Sequence, residues 1–254
     1  MTPDMKSPDP RKPLAGKAYG SIPHLPGSKF GNRDDKGLDA KAAAVFTGDR
    51  PIGKMDMVVL LEKLDGTSVA IANIKGEIVP LIRSGFRAIT SKYHQHHMFH
   101  DWVMQHFSRF ADLNPGERIC GEWLAQAHGT RYYLAHREPF AAFDFFVWNE
   151  RQPWIVTQEY CLGHNLTHVP LLGKKIGSGV SISDALFLLG DEGKYDACDH
   201  SEGVVWRWER YGWYKNPERN PIMMAKYVRP IKEVGKYLPT EEHPDLEPVW
   251  NWRP

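Results

Sequence analysis

The feature that most constrains the fold is a series of short apolar stretches, separated by turn residues, that begins at Met57. The first stretch ends near Glu62, a turn follows at Asp65 and Gly66, and the stretches SVAIANI and EIVPLI come next. Apolar runs of this length, rich in β-branched residues and bounded by turn residues, are typical of β-strands. Four later stretches have the same character and predict further strands: RICGEWLA, PFAAFDFFVW, GVVWRW and MMAKYV.

Two other segments predict helices. Residues 93–110 lack turn residues and carry apolar side chains at roughly helical spacing, so we expect one amphipathic helix there. Residues 181–190 begin with a candidate serine N-cap and end at a glycine, which are the usual limits of a short helix. Strands that follow one another without regular helical crossovers indicate an α+β domain built on an antiparallel sheet.

The two ends of the chain differ from this central part. Residues 1–50 are rich in Pro, Gly, Lys and Asp, and we expect residues 1–21 to form a flexible N-terminal arm. The segment IPHLPGSK at residues 22–29 has apolar anchors that favour packing onto the body. We therefore place the folded domain at residues 22–236 and a C-terminal tail at residues 237–254.

Composition limits the cellular setting. No apolar stretch approaches the length of a membrane span, and the N-terminus lacks the apolar core of a signal peptide. Three widely spaced cysteines, Cys120, Cys161 and Cys198, argue against a disulfide framework and a Cys-rich zinc site. These features predict a cytoplasmic protein without a membrane partner.

Charge gives a weaker indication of a partner. The net charge is only +1, but residues 202–236 carry eight Lys and Arg against four Asp and Glu. Such a basic segment either binds phosphates or forms a solvated face.

A Lys-x-Asp-Gly tetrapeptide follows the first predicted strand and contains the candidate nucleophile, Lys63. A charged strand end followed by a β-turn would also explain it, so the tetrapeptide alone is not specific. An apolar strand that ends here would present Lys63 to a pocket, while Gly66 permits a tight turn.

Further short segments follow in order along the chain. Arg83 lies beside a glycine in IRSG, and Glu122 lies in an apolar strand, where an unpaired carboxylate would be costly. The aromatic strand AFDF is interrupted by one acid, Glu202 opens the apolar stretch EGVV, and AKYVR supplies Lys226 and Arg229. Each segment has a structural explanation by itself, but their joint order is hard to attribute to chance.

Taken in order, KLDG, RSG, GEW, FDFF, EGVV and AKYVR resemble the motifs of the covalent nucleotidyltransferase superfamily of DNA ligases, RNA ligases and mRNA capping enzymes. Three details resemble the ATP-dependent RNA ligase branch: Glu62 directly before the lysine, His128 within GEWLAQAHGTRYY, and the early IPHLPGSK segment. The resemblance covers residues 22–230 and implies an antiparallel-sheet adenylation domain. Only 25 residues follow Arg229, which predicts that no C-terminal OB-fold is attached.

The resemblance also implies a reaction. Lys63 attacks the α-phosphate of ATP, pyrophosphate leaves, and AMP stays on Nζ as a phosphoramidate. The AMP then passes to a 5′-phosphate end, and a 3′-hydroxyl displaces it to seal the strand. Lysine must lose its proton to act, which nearby cations favour. Lys226 is the candidate cation and phosphate contact, and Glu202 is the candidate ligand of Mg²⁺ or Mn²⁺.

The resemblance assigns the remaining nucleotide contacts. Glu122 would accept hydrogen bonds from the ribose, Phe143 would stack on adenine, and Glu62 would read the purine edge. Arg83 would face phosphate or ribose.

The last motif departs from the family pattern, which has two lysines separated by one residue. Lys226 is flanked at that spacing by Met224 and Val228, so one cation is missing or is replaced by Arg229.

These observations predict a monomeric RNA ligase that joins 5′-phosphate and 3′-hydroxyl ends, nicked duplexes included, with a partner protein able to assist substrate binding. Two alternatives remain open. One is a DNA nick-sealing ligase, and the other is a nucleic-acid-binding homologue with weakened catalysis.

Two further clusters carry alternative interpretations. For the histidines between His94 and His106 we favour surface or RNA-facing positions over a metal site, because no nearby carboxylate or cysteine completes a ligand pattern. The aromatic residues between Trp206 and Tyr214, interleaved with Arg and Lys, fit base stacking and core packing equally well.

Overall fold

The chain folds around two antiparallel β-sheets in a computed structural model that describes residues 9–31, 35–48, 53, 55–210, 222–239 and 246–254. In spatial order, the four-stranded sheet contains β7 (Leu171–Ile176), β1 (Asp56–Lys63), β8 (Gly203–Arg210) and β9 (Met223–Val228). The five-stranded sheet contains β3 (Glu77–Ile82), β2 (Thr67–Ile74), β4 (Glu117–Trp123), β5 (Phe140–Val147) and β6 (Glu150–Arg151).

Helices accompany both sheets, so the predicted α+β fold with antiparallel sheets is confirmed. Their bounds are α1 (Ala40–Thr47), α2 (His94–Gln105), α3 (Trp154–Gly163) and α4 (Ile182–Leu189), with single 3₁₀ turns at Ala88–Thr90 and Phe107–Arg109. The predicted helix over 181–190 is confirmed as α4, whose N-cap Ser181 accepts a hydrogen bond from the Asp184 amide. The helix expected over 93–110 stops at Gln105, and a separate 3₁₀ turn follows.

Each face of the four-stranded sheet is covered differently, because alternate residues of a strand point to opposite faces. Val58 and Leu60 pack in one buried cluster with Phe46 of α1 and Leu189 of α4. Val59 and Leu61 pack in another cluster with Leu124 and Ala141, which belong to the other half of the molecule. The second face of this sheet therefore closes against the five-stranded sheet.

The five-stranded sheet has its own helical layer. Phe99 and Trp102 of α2 pack with Trp123 and Phe140 in a large aromatic cluster, to which Cys161 of α3 also belongs. Helix α3 was not predicted from the sequence, and neither were α1 and β7. The molecule is thus layered as helix, sheet, sheet and helix, and residues 64–66 connect β1 of one sheet to β2 of the other.

Both described ends of the chain pack on this body. Ala18 and Tyr19 are buried, and the amide of Ala18 donates to the carbonyl of Arg83 at 2.9 Å. Residues 249–252 lie against the loop after β4, where the amide of Ala127 donates to the carbonyl of Val249 at 2.8 Å. The boundaries 1–21, 22–236 and 237–254 stay a prediction. None of the described helices combines the length and the apolar character needed to cross a membrane.

Candidate active site

Lys63 is the last residue of β1 and lies opposite Gly203, the first residue of β8. Its Nζ donates to Oε2 of Glu202 at 2.5 Å. The turn that follows is held by the amide of Gly66, which donates to Oε1 of Glu122 at 3.0 Å. A Cβ at position 66 would come within 2.5 Å of the carbonyl oxygen of Trp123, so only glycine allows this approach. The structure thus brings Lys63, Glu122 and Glu202 together.

The charges around Lys63 keep it protonated. Burial by itself lowers the pKa of Lys63, but the carboxylates of Glu202, Glu122 and Asp65 outweigh burial and raise this pKa above its usual value. Burial raises the pKa of Glu122 to about 8 and that of Glu202 to about 7, against the opposing effect of Lys63. Without a bound substrate, Lys63 is therefore the cation of a buried ion pair rather than a free amine.

Asp65 of the tetrapeptide anchors the segment that follows β4. Its Oδ2 accepts hydrogen bonds from the amide of Gly129 at 2.9 Å and from Oγ1 of Thr130 at 3.3 Å, and lies 3.3 Å from Nζ of Lys232. The amide of Asp65 donates to the hydroxyl of Tyr132 at 2.9 Å. Lys232 is only 3% exposed and also donates to Thr130. The sequence interpretation missed this buried cation, since nothing in its local pattern marks it.

His128, which belongs to the same segment, lies over the start of β2. Its Nε2 is 3.1 Å from Oγ1 of Thr67 and 3.5 Å from Nε2 of Gln95. Burial lowers the pKa of His128, so the ring is neutral at physiological pH. His128 is thus a neutral hydrogen-bonding group, held in place beside the turn formed by residues 63–66.

Lys226 lies on β9, and the N-terminal segment runs alongside it. The amide of Lys226 donates to the carbonyl of Pro23 at 2.9 Å, and its carbonyl accepts from the amide of Leu25 at 2.8 Å. Its Nζ is 3.4 Å from Oδ1 of Asp35. Burial lowers the pKa of Lys226, and the positive charge of Lys63 lowers this pKa further. Lys226 is therefore close enough to Lys63 for the two charges to repel each other.

Arg229 and Arg83 take positions that the motif order does not reveal. The guanidinium of Arg229 donates to the carbonyl of Gly190 and lies 3.4 Å from Oδ1 of Asp191, which ties it to the loop after α4. Arg83 is exposed, and its Nη2 donates to Oγ of Ser21 at 2.9 Å. Among the described residues, this places the side chain of Arg83 on the N-terminal segment and not on the carboxylates around Lys63.

Glu62 is buried beneath the loop that follows α4. Its Oε2 accepts the amide of Lys194 at 2.7 Å, while Oε1 is buried without a hydrogen-bond partner among the described residues. A Cβ on Gly193 would lie 2.1 Å from Oε1, so this loop closes on Glu62 only with glycine at 193. Burial raises the pKa of Glu62 to about 7. A buried oxygen without a partner is an unusual cost and is suited to a ligand donor.

Phe143 projects from an irregularity in β5. Cys120 pairs with Asp144 and Gly121 pairs with Ala142, so Phe143 is the extra residue at a break in the register. Such bulges redirect a side chain and are frequent beside functional sites. The ring of Phe143 is partly exposed and meets the ring of Tyr19 edge-on at 4.8 Å between centroids.

A buried ion network next to Phe143 joins the two sheets. Asp144 of β5 accepts hydrogen bonds from Arg207 of β8, from Nε of Arg151 at 3.0 Å and from the hydroxyl of Tyr19 at 2.6 Å. Burial would raise the pKa of Asp144, but Arg207 and Arg151 outweigh it and lower that pKa. Arg207 is fully buried, so this member of the basic segment 202–236 does not belong to a solvated face.

The structure also locates described members of the histidine cluster, residues 94–106, and of the aromatic group, residues 206–214. His96 is buried, and its Nδ1 lies 2.6 Å from Oγ of Ser91, so the expectation of a surface position is wrong for this residue. Within the described ranges, no group of three or more His, Cys, Asp or Glu side chains is arranged to hold a metal ion. Trp206 and Trp208 pack in the core, while Trp213 and Tyr214 lie outside the described residues.

Comparisons with known proteins identify a family for most of the chain. The model of the RNA ligase family matches residues 56–228. No curated protein matches the chain.

Three solved structures illustrate its similarity to known folds. An apo mutant of the Naegleria gruberi RNA ligase is 14% identical with a TM-score of 0.48, over 72% of this chain and 55% of that one. The same ligase with PPi is 18% identical with a TM-score of 0.46, over 68% and 50% of the two chains. An archaeal ATP-dependent RNA ligase is 20% identical with a TM-score of 0.42, over 68% and 43%. The chain thus spans about half the length of these structures.

Proposed function

The chain belongs to the RNA ligase family, and from this premise we propose that it is an ATP-dependent RNA ligase that works through an AMP adduct on Lys63. The observation that carries the proposal is the position of Lys63. A lysine at the end of a buried strand, 2.5 Å from one carboxylate and within the electrostatic influence of a second, is held at a single point where the two sheets are connected. Such placement is what a nucleophile requires.

In the proposed reaction, the lone pair of Nζ of Lys63 attacks the α-phosphorus of ATP, and the bond to the bridging oxygen of pyrophosphate breaks. The Nζ proton must leave for this to happen. Lys226 assists, because its positive charge disfavours a second cation nearby and attracts the α-phosphate. Glu202 accepts the hydrogen bond from Nζ, so it is placed to take this proton and pass it to solvent before the attack.

The carboxylate set fits a divalent ion that is shared with the nucleotide. Mg²⁺ usually takes one or two protein carboxylates together with substrate phosphates, which agrees with Glu202 as the protein ligand and with the absence of a complete cage among the described side chains. A divalent ion bound at Glu202 would neutralise the carboxylate charge that keeps Lys63 protonated and would orient the phosphate oxygens.

We assign the nucleotide contacts as follows. Glu122, already accepting from the Gly66 amide, has its second oxygen available for the ribose hydroxyls. Phe143 offers a partly exposed ring for adenine, and the unsatisfied Oε1 of Glu62 is suited to the purine amino group. Arg83 and Arg229 are proposed to face phosphate only after rearrangement, because both are engaged elsewhere.

The AMP would then pass to the 5′-phosphate of an RNA strand, and a 3′-hydroxyl would displace it. RNA with these two ends, nicked duplexes included, is the proposed substrate, and a monomer in the cytoplasm is the proposed form. A partner protein is proposed to assist substrate binding.

The experiment is transfer of label from α-labelled ATP to the protein in the presence of Mg²⁺ or Mn²⁺. We expect a labelled wild-type chain and no label on Lys63→Ala. Wild-type protein that stays unlabelled with every nucleotide would refute the proposal. Sealing of nicks with RNA or with DNA on the 3′-hydroxyl side then separates RNA ligation from DNA nick sealing.

A further inference from the structure

A cavity lies on the segment that follows β4, and neither Lys63, Glu122 nor Glu202 lines it. It has a volume of about 640 Å³, and its walls are residues 131–138 on one side and 250–253 on the other. This volume falls in the range of small-molecule and nucleotide sites.

The first wall is held with alternate side chains facing opposite ways. Tyr132 pairs with Ala197 in an isolated antiparallel bridge, and Tyr132 and Leu134 point into the core, each at most 5% exposed. Arg131 and Tyr133 therefore point outward, and Tyr133 is 61% exposed. An exposed aromatic ring on a fixed backbone is available to stack on a ligand.

The second wall is tied to the first by one residue. Oδ1 of Asn251 accepts the amide of Tyr132 at 3.1 Å, and its Nδ2 donates to the carbonyl of Leu124 at 2.8 Å. Trp250 precedes this anchor and Arg253 follows it. The guanidinium of Arg253 lies 5.7 Å from the ring centre of Trp250. The cavity is therefore built from two fixed segments rather than from loose side chains.

The charge of the cavity is positive. Its one acidic lining residue, Glu138, is engaged by Arg109 at 2.5 Å, and lining Arg137 is balanced by Asp196 at 2.5 Å. Arg131 and Arg253 then add two positive charges to a wall that also carries aromatic rings. Exposed aromatic rings interleaved with arginines are the usual surface for single-stranded nucleic acid, because rings stack on bases and arginines contact phosphates.

The first wall of the cavity continues the segment that Asp65 anchors. The first wall continues from Gly129, whose amide donates to Asp65 at 2.9 Å, and Tyr133 is four residues further on. Four residues span at most about 14 Å, so Tyr133 lies within about 14 Å of Gly129 along the chain.

We propose that this cavity is a subsite for the RNA strand, in which Tyr133 stacks on a base and Arg131 and Arg253 contact phosphates a few nucleotides from the 5′-phosphate end. The proposal rests on the proposed ligase function, because that function supplies the strand. It concerns strand binding only, and the subsite takes no part in formation of the AMP adduct.

The test is the affinity for a short, labelled 5′-phosphorylated RNA, measured by fluorescence anisotropy over a range of salt concentrations. Tyr133→Ala removes the stacking on one base, so we expect its affinity for the RNA to fall about 5- to 140-fold. Tyr133→Phe keeps the ring and should bind like wild type. The matched control is Phe187→Ala, which removes a ring that is 87% exposed on α4.

Arg131→Ala should reduce the slope of log affinity against log salt by about 0.7, the value for one phosphate contact with a single strand. Lys175→Ala, which removes a charge from the exposed strand β7, is its control and should leave RNA affinity as in wild type. The AMP-adduct assay on the same proteins should give wild-type labelling for every variant, which also shows that they fold.

The outcomes separate the two proposals. RNA affinity and salt slope unchanged in Tyr133→Ala and Arg131→Ala would overturn the subsite, whatever the adduct assay shows. Wild-type protein that binds RNA through these residues but never forms the adduct would support the subsite and refute the ligase function.

Discussion

Replacing Glu62 with glutamine should stabilise the protein at neutral pH. Glu62 is 2% exposed, and burial raises its pKa from 4.5 to about 7. A folded-state pKa above the unfolded value means that its stabilising contribution is fully present below pH 4.5 and is lost as the pH rises through 7. Because of this difference in pKa, the charged carboxylate lowers the free energy of unfolding by about 3 kcal/mol above pH 8. Glutamine keeps the hydrogen bond from Lys194 and removes the charge.

The assay is urea unfolding of wild type and Glu62→Gln at pH 4.5 and pH 8. We expect similar free energies of unfolding at pH 4.5 and a variant more stable by up to about 3 kcal/mol at pH 8. Glu192→Gln, an exposed position on the loop that covers Glu62, should show no such pH-dependent gain. A variant that is less stable than wild type at pH 8 would refute the reasoning, because it would mean that the buried carboxylate is favourably solvated.

Three more substitutions have defined outcomes. Phe143→Ala should raise the KM for ATP about 5- to 140-fold in the adduct assay through loss of base stacking; a change confined to kcat would contradict that role. Arg207→Met should lower the free energy of unfolding by about 3–5 kcal/mol, because it leaves Asp144 short of a buried cation, and urea unfolding measures this. Lys232→Met should cost about 1.5–3 kcal/mol in the same assay and slow adduct formation, because Asp65 loses a charged partner; Lys232→Arg should recover part of both.

The strands of the central part were predictable because their apolar residues alternate or run together over short lengths between turn residues. Lys63, Glu122 and Glu202 were predictable as a group from motif order, although they are separated by as many as 139 residues. Charged residues next to glycine at the ends of apolar strands were the local signal. Their joint meaning came from the family resemblance rather than from spacing.

The positions that sequence interpretation missed depend on contacts across the fold. Lys232 looks like one member of a basic segment, and only the loop at Thr130 makes it a buried partner of Asp65. For Arg207 a signal did exist. Trp206 and Trp208 face the helices, so alternation in β8 turns Arg207 toward the other sheet. The sequence pattern could not show that Asp144 of β5 is the partner of Arg207.

The protonation of Lys63 is a further case. From the residue types, a nearby lysine was expected to favour the free amine. The structure surrounds Nζ with three carboxylates, and their combined attraction exceeds both burial and the repulsion from Lys226. The count and distance of opposing charges decide this balance, and neither is visible in a linear sequence.

The most direct measurement is the location of the AMP adduct. Wild-type protein is incubated with ATP and Mg²⁺, digested under conditions that preserve the phosphoramidate, and mapped by mass spectrometry. The account predicts AMP on the peptide that contains Lys63 and on no other. AMP on Lys226 or Lys232, or a fully unmodified chain, would contradict it.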